Sequence, residues 1–280
     1  MSTINVKHYG ATGDGTTDDV EALQTAIASA VMGDRIIFPA GTYFVSDTLA
    51  LTQSDVVYDL GTAKIIGNTD KPTGGGTIIN LFGNHCVVMG GTIVPRFKSG
   101  NPLQAGWDNG FNIVGNYNTL LHVTVNATDG WRGIDIQTIG DHIHHNKFIN
   151  CHILGGDTGI SLICATGGLV TDTVFQNCLI EFANMGILIY SDDHVLANKN
   201  IEFSNVNILN CHEVLSLKGI DTLALDTIFI AHSDNVLHRA IDVKNISISN
   251  LEIDGEVWIQ TLIRKLKWAL RFKKLKILFS

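Results

Sequence analysis

The sequence predicts an all-β solenoid, a parallel β-helix closed at its N-terminal end by one α-helix. Three observations carry this: a repeat of 26 to 28 residues made of short β-patterned segments, a composition rich in turn formers, and a single helical pattern near the start. Among 280 residues there are 28 glycines but only 4 prolines, and charged residues make up 16% against 45% hydrophobic. That balance excludes disorder, coiled coil and collagen, and it suits a β-rich chain with many tight turns. No run of about 18 uncharged apolar residues occurs, so no membrane span is expected. The opening residues lack the apolar core of a signal peptide.

The elements follow in order. Asp18 and Glu21 form a capping-box pattern, and Val20, Leu23, Ile27 and Ala30 recur at helical spacing. A helix is therefore expected over 18–30, with Gly33 ending the segment. Residues 36–45 read as two short strands around a turn from Pro39 to Gly41. Beyond them three segments align: Phe148-Ile-Asn-Cys-His-Ile153, Phe175-Gln-Asn-Cys-Leu-Ile180 and Phe203-Ser-Asn-Val-Asn-Ile208, with looser copies at 120–125, 225–230 and 248–253. A second strand accompanies each, and Ile134, Ile160, Ile187, Leu215 and Ile241 are read as equivalent, in steps of 26, 27, 28 and 26 residues. Stacked rungs place equivalent side chains about 4.8 Å apart. Phe148, Phe175 and Phe203 are thus expected to form an internal aromatic ladder, and Asn150, Asn177 and Asn205 a buried amide ladder at a turn. The solenoid is expected to run to eight or nine rungs. Three segments result: an N-terminal motif and capping helix (1–35), the β-helix (36–259) and a basic amphipathic tail (260–280).

A resemblance now becomes specific. Tyr9-Gly-Ala-Thr-Gly-Asp-Gly-Thr-Thr-Asp-Asp19, the helix, and Ile36-Ile-Phe-Pro-Ala-Gly-Thr-Tyr43 resemble the N-terminal signature of the pectate-lyase-like superfamily. The resemblance implies a right-handed parallel β-helix of the kind found in phage tailspike depolymerases, polygalacturonase relatives and mannuronan epimerases. It covers about 45 residues closely and the remainder by rung pattern alone. It also implies an enzyme or binder of polysaccharide, with a homotrimer and phage tail components as expected partners and a virion or extracellular location. No cofactor and no metal are implied. The glycine-rich loop over 10–15 lacks the Gly-Lys-Ser/Thr of a phosphate cradle.

Alternation along the strands sorts the outward residues. With Ile134 and Ile136 inside, Asp135 is expected to face solvent in one row with Ser161, Leu188, Ser216 and Asp242. The next outward row reads Gln137, Ile163, Tyr190, Lys218 and Lys244. Ala127-Thr-Asp-Gly130 and Gly155-Gly-Asp-Thr-Gly159 resemble parts of polygalacturonase motifs, and Trp131-Arg-Gly-Ile-Asp135 resembles the epimerase strand that carries a catalytic Asp. Asp135 and Asp157 are therefore read as a carboxylate pair about 5–10 Å apart on successive rungs, suited to acid and base roles. Asp129 and Glu213 are further catalytic candidates. Trp131, Arg132, Tyr190 and Lys218 are the substrate-binding candidates, the aromatics by stacking on sugar rings. A base for elimination is sought among His144, Lys218 and Tyr190. His142, His144 and His145 lack a carboxylate at ligand spacing, and Asp192-Asp-His194 reads as a solvated turn, with calcium binding as the alternative.

Charge is unevenly spread. Residues 264–280 carry 7 basic and no acidic side chains, which leaves the rest of the chain with 12 basic against 27 acidic. A body that acidic argues against a nucleic-acid partner. The five cysteines include no C-x-x-C pair and are read as buried apolar side chains. Function thus stays among three readings: a phage tail depolymerase acting by hydrolysis or β-elimination, a non-catalytic receptor-binding spike on the same scaffold, or a bacterial pectin- or alginate-modifying enzyme.

Overall fold

The computed structural model describes residues 1–67, 76–95, 109–192, 196–253 and 277–278. Short β-patterned segments cannot bury an apolar face alone, so each stacks in parallel on the equivalent segment of the next rung. The result is a right-handed parallel β-helix. One rung runs through Arg132–Ile139, His142–His144, Lys147–Ile149 and His152–Leu154, and the next begins at Thr158–Ala165. A single inward column of Ile4, Ile36, Tyr58, Val88, Leu120, Phe148, Phe175, Phe203, Leu225 and Ile248 counts ten rungs among the described residues, and Ile277–Leu278 pairs on Ile248–Ser249 as a further level, more than the sequence repeat reveals. The stack begins at Thr3–Asn5, inside what the sequence reads as a separate cap segment.

The phenylalanine ladder forms as expected. Phe148 and Phe175 stack with centroids 4.4 Å apart at 8°, and Phe175 and Phe203 at 4.7 Å and 6°. The corners are single left-handed residues. Asn150, Asn177 and Asn205 have φ near 54°, 54° and 51°, and Asn205 Nδ2 donates to Asn177 Oδ1 at 2.7 Å. This ladder is solvent-exposed at Asn177 and Asn205 rather than buried. The buried amides lie at another corner: Asn118 and Asn146 are 1% and 0% exposed, and Asn146 Oδ1 accepts from the Asn118 N–H at 2.9 Å while each Nδ2 donates to a glycine carbonyl.

The cap helix spans Val20–Ser29 and buries Leu23, Ala26 and Ile27. Its N-cap is Asp19 and not Asp18, and Asp19 makes no cap bond. Its buried carboxylate instead accepts from Thr12 N at 2.6 Å and Gly13 N at 3.0 Å, so the glycine loop is clasped by protein and its donors are taken. The strands Arg35–Ile37 and Thr42–Val45 flank the expected turn, where a Cβ on Gly41 would stand 2.8 Å from the Gly13 carbonyl oxygen.

Two readings at the C-terminal rungs need correction. Leu215 pairs with Leu237, a step of 22 residues, whereas Ile241 pairs with Lys218 and is exposed. Accordingly Arg239, not Asp242, lies beside Ser216, and Lys244 lies beside Asp221. The cause is a missing corner loop, which shortens these rungs. The tail over 260–280 lies almost entirely outside the described residues, as do Asp193 and His194. All five cysteines are free and buried, and burial pushes the Cys164 thiol to about 12 and that of Cys211 to about 11.

Candidate functional site

Asp135 stands on the outer face of Arg132–Ile139, between Asn112 and Ser161 of the neighbouring rungs. Alternation predicts a solvent-facing acid, but the structure buries it to 2% exposure. Ser161 Oγ donates to Oδ1 at 2.5 Å, and Asn109 Nδ2 and Arg132 Nη1 donate to Oδ2 at 3.2 and 2.9 Å. These three donors close over the carboxylate, and Arg132, 15% exposed, balances its charge. Arg132 is thereby committed to Asp135 rather than open to a ligand.

Asp157 is not beside Asp135. The register pairs Arg132 with Thr158, so Asp157 stands next to Trp131, at the turn that enters Thr158–Ala165. Four residues of largely extended chain separate it from Ser161, the rung partner of Asp135, or about 13 Å along the strand. The expected carboxylate pair is therefore not assembled. Asp157 is half-buried and accepts from Asn184 Nδ2 at 3.2 Å and Thr158 Oγ1 at 3.3 Å. Asp129 is exposed in the preceding turn. Glu213, half-buried, pairs with His238 across one rung. Trp131 is half-buried. Lys218, 9% exposed, donates from Nζ to the Tyr190 hydroxyl at 3.4 Å and lies 4.5 Å from its ring centroid, so the pair engages itself.

What the structure brings together is a different set. Backbone bonds from Met185 N to Asp157 O (2.7 Å), Glu213 N to Asn184 O (2.8 Å) and Asn235 N to His212 O (3.0 Å) fix one row: Trp131, Asp157, Asn184, His212, Asp234. Each residue contributes from its own rung, about 4.8 Å above the last. Asp234 Oδ2 lies 2.8 Å from His212 Nδ1, which turns Nε2 away from the carboxylate. Asp157, Asn184 and His212 line an open groove of about 780 Å³ together with Thr128, Asn210 and Phe182. Phe182 is 60% exposed. It occupies a left-handed corner (φ 58°) whose equivalents on the other rungs are Gly155, Asn210 and His232.

Sequence reading missed Phe182, Asn184, His212 and Asp234. A signal for Phe182 exists: aligned by rung, it is the aromatic in a column of glycine, asparagine and histidine. The histidine trio sits elsewhere, at an outer corner. His144 Nδ1 and His145 Nδ1 lie 2.8 Å apart, and Tyr117 stacks between His85 and His145 at 4.8 and 4.7 Å. Burial first, then the charges of His142 and His145, hold the His144 imidazole below its usual range.

Fold and groove together define a parallel β-helix protein with a polar cleft along one corner of its rungs. The chain belongs to the family described as rhamnogalacturonase A/epimerase, pectate lyase-like, whose model matches residues 3–235. It is 26% identical over 240 residues to the pre-neck appendage protein of Bacillus phage B103, covering 80% of this chain and 24% of that protein. It is 29% identical over 230 residues to the mannuronan C5-epimerase AlgE3 of Azotobacter vinelandii, covering 72% of this chain and 12% of the enzyme. This chain thus spans a quarter or less of the length of these relatives. Among solved structures, the gp42 tailspike of Acinetobacter phage vb_AbaP_AS12 shares the fold with a TM-score of 0.61 at 12% identity, over 90% of this chain and 45% of that one.

Proposed function

We propose that this chain is the β-helical part of a phage tail protein that binds and cuts bacterial surface polysaccharide. The observation that carries this reading is the groove: four rungs in register present an acid, amides and a histidine held by Asp234 of a fifth, with an exposed phenyl ring at the adjoining corner. A repeated polar row suits an extended polymer, since each rung offers a further subsite. The pre-neck appendage relative supports a place in the virion tail, and the epimerase relative supports a sugar polymer as ligand. A homotrimer belongs to the same reading. Asp157 and Glu213 are its acids within or beside the groove, while Asp135 holds Arg132 and the strand in place.

One observation favours a second reading, a non-catalytic receptor-binding spike: the acid that resembles a catalytic epimerase residue is buried and paired with Arg132. A pectin- or alginate-modifying enzyme is the third. Incubation with a panel of capsular and plant polysaccharides separates them. New reducing ends alone mean hydrolysis, and ultraviolet-absorbing unsaturated ends mean elimination. Binding without any product establishes the spike, and product from plant or algal uronates alone the third reading.

A further inference from the structure

We infer that the groove takes an uncharged glycan, built of neutral hexose or N-acetylhexosamine units, and that its chemistry is glycoside hydrolysis rather than elimination. This rests on the reading above that the groove binds polysaccharide. Among the described residues, no lysine or arginine lines the groove; its one carboxylate is Asp157, with Thr128, Asn184, Asn210, His212 and Phe182 around it. Asp234 and Glu213 add negative charge next to it. A polyuronate carries a carboxylate on each uronic unit, and among the described residues these three acids repel it with His212 alone in the groove able to carry a positive charge, which Asp234 already offsets. The nearby cations are engaged elsewhere: Arg132 with Asp135, and Lys218, buried, over Tyr190. Elimination also needs the substrate carboxylate neutralised so that the neighbouring C–H can lose its proton, and among the described residues the groove offers no lysine or arginine for that, its histidine being held by Asp234.

Phe182 points the same way. A left-handed corner disfavours any residue with a bulky side chain, and the equivalent positions carry glycine, asparagine and histidine. Phenylalanine there gains little by burial, since the residue is 60% exposed. Left-handed corners recur in this fold, but here the exposed ring opens onto the groove, and a phenyl face stacks on the C–H face of an uncharged sugar ring. The amides and the threonine hydroxyl then serve hydroxyl and acetamido groups.

Asp157 and His212 stand two rungs apart, about 10 Å between backbones, against roughly 6.5–9.5 Å between the carboxyl groups that flank the bond in inverting glycosidases. In the step we assign, a water oxygen bonds to the anomeric carbon while its proton passes to Asp157. The glycosidic C–O bond breaks, and the departing oxygen takes a proton from His212 Nε2, the imidazole being held through Nδ1 by Asp234.

The test is affinity electrophoresis and product analysis of the full chain on two sets of polymers. One set is neutral (dextran, galactomannan, soluble N-acetylated chitin oligomers and uronate-free bacterial O-polysaccharides); the other is polygalacturonate, alginate and uronate-containing capsules. Retention and new reducing ends are expected in the neutral set only. Phe182→Asn, which suits the left-handed corner, is expected to keep the fold and weaken retention about 10-fold. Asp157→Asn and His212→Gln are each expected to keep retention and lower turnover about 100-fold or more. Uronate retention lost in Phe182→Asn, or unsaturated product, overturns this inference and leaves the glycan groove standing. Retention that ignores Phe182→Asn overturns the groove as its site. No retention by either set overturns this inference and the polysaccharide reading together.

Discussion

The middle rungs and the C-terminal rungs solve the same stacking problem with different corners. In the middle, rungs of 26–28 residues break into two to four strands, with connections such as Gly140–Asp141 and Thr166–Gly168 at one corner. Near the end, Glu213–Ala231 and Asn235–Ile253 each run 19 residues, bent only at single left-handed positions such as Gly219, Thr222 and Thr227. Phenylalanines stack in the longer rungs; Leu225 and Ile248 continue the same column in the shorter ones. A small apolar void of about 10 Å³, lined by Leu225, Ile246 and Ile248 among others, lies where the large rings stop. Between these two regions the column changes from stacked rings to branched aliphatic side chains as the corners shorten, although Tyr58, Val88 and Leu120 show that rung length alone does not choose the filling elsewhere in the stack.

The largest test of that contrast is the column itself. Phe175→Ala removes a ring packed on both faces and is expected to cost about 3–5 kcal/mol, more than Leu225→Ala beside a void. Chemical denaturation of both variants decides it, and equal losses would break the link between corner length and packing. Next is the acid row. Asp135→Asn leaves Arg132 without its carboxylate in a mostly buried place and is expected to cost about 3 kcal/mol, whereas Asp157→Asn is expected to change stability by about 0.5 kcal/mol or less. Melting curves on the two proteins distinguish a structural acid from a groove acid.

Amides rank third. Asn146→Ala strands the Asn118 N–H and the Gly115 carbonyl in the interior and is expected to cost about 1–3 kcal/mol. Asn177→Ala acts at an exposed corner, and its loss is expected to stay near the cost of giving up asparagine's tolerance of positive φ, about 1 kcal/mol. The reverse order would restore the ladder that the sequence pattern alone favours. The smallest effect is in pH. The folded state holds His144 below its unfolded value of 6.5, so protonation favours unfolding. Its contribution is complete above that value and is lost as pH falls through the lower folded value. The Asp172 carboxyl, held down by the Thr171 hydroxyl and then Asn200, adds a further loss only below about 3.8. His144→Gln is expected to flatten the fall in melting temperature below pH 6.5. The corresponding corners Thr222 and Asn245 in the last rungs carry no imidazole.

The long rungs were legible because each repeats Phe-x-Asn at fixed spacing, and the helix because its apolar residues recur every three to four positions. The last rungs were not, since Ala240-Ile-Asp-Val243 imitates Gly133-Ile-Asp-Ile136 and hides a step of 22 residues. Alternation identifies the side to which Asp135 points but not what lies over it, so its burial by Arg132, Asn109 and Ser161 escaped notice. Asp157 was found by its glycine-flanked turn. His212 and Asp234 were not, because only rung register joins residues 22 positions apart into one pair.

The parallel stacking also sets how the molecule bears load. Hydrogen bonds between rungs run nearly along the solenoid axis, so tension along that axis passes through every interface in series. A series chain fails at its weakest link, whatever the strength of the others. Among the described residues the ladder between Glu213–Ala231 and Asn235–Ile253, with fourteen paired positions, is the longest, so the links that yield first are the interfaces divided among short strands. Sideways load is instead shared by the whole face of a rung, and the same protein is correspondingly tougher across its width than along its length.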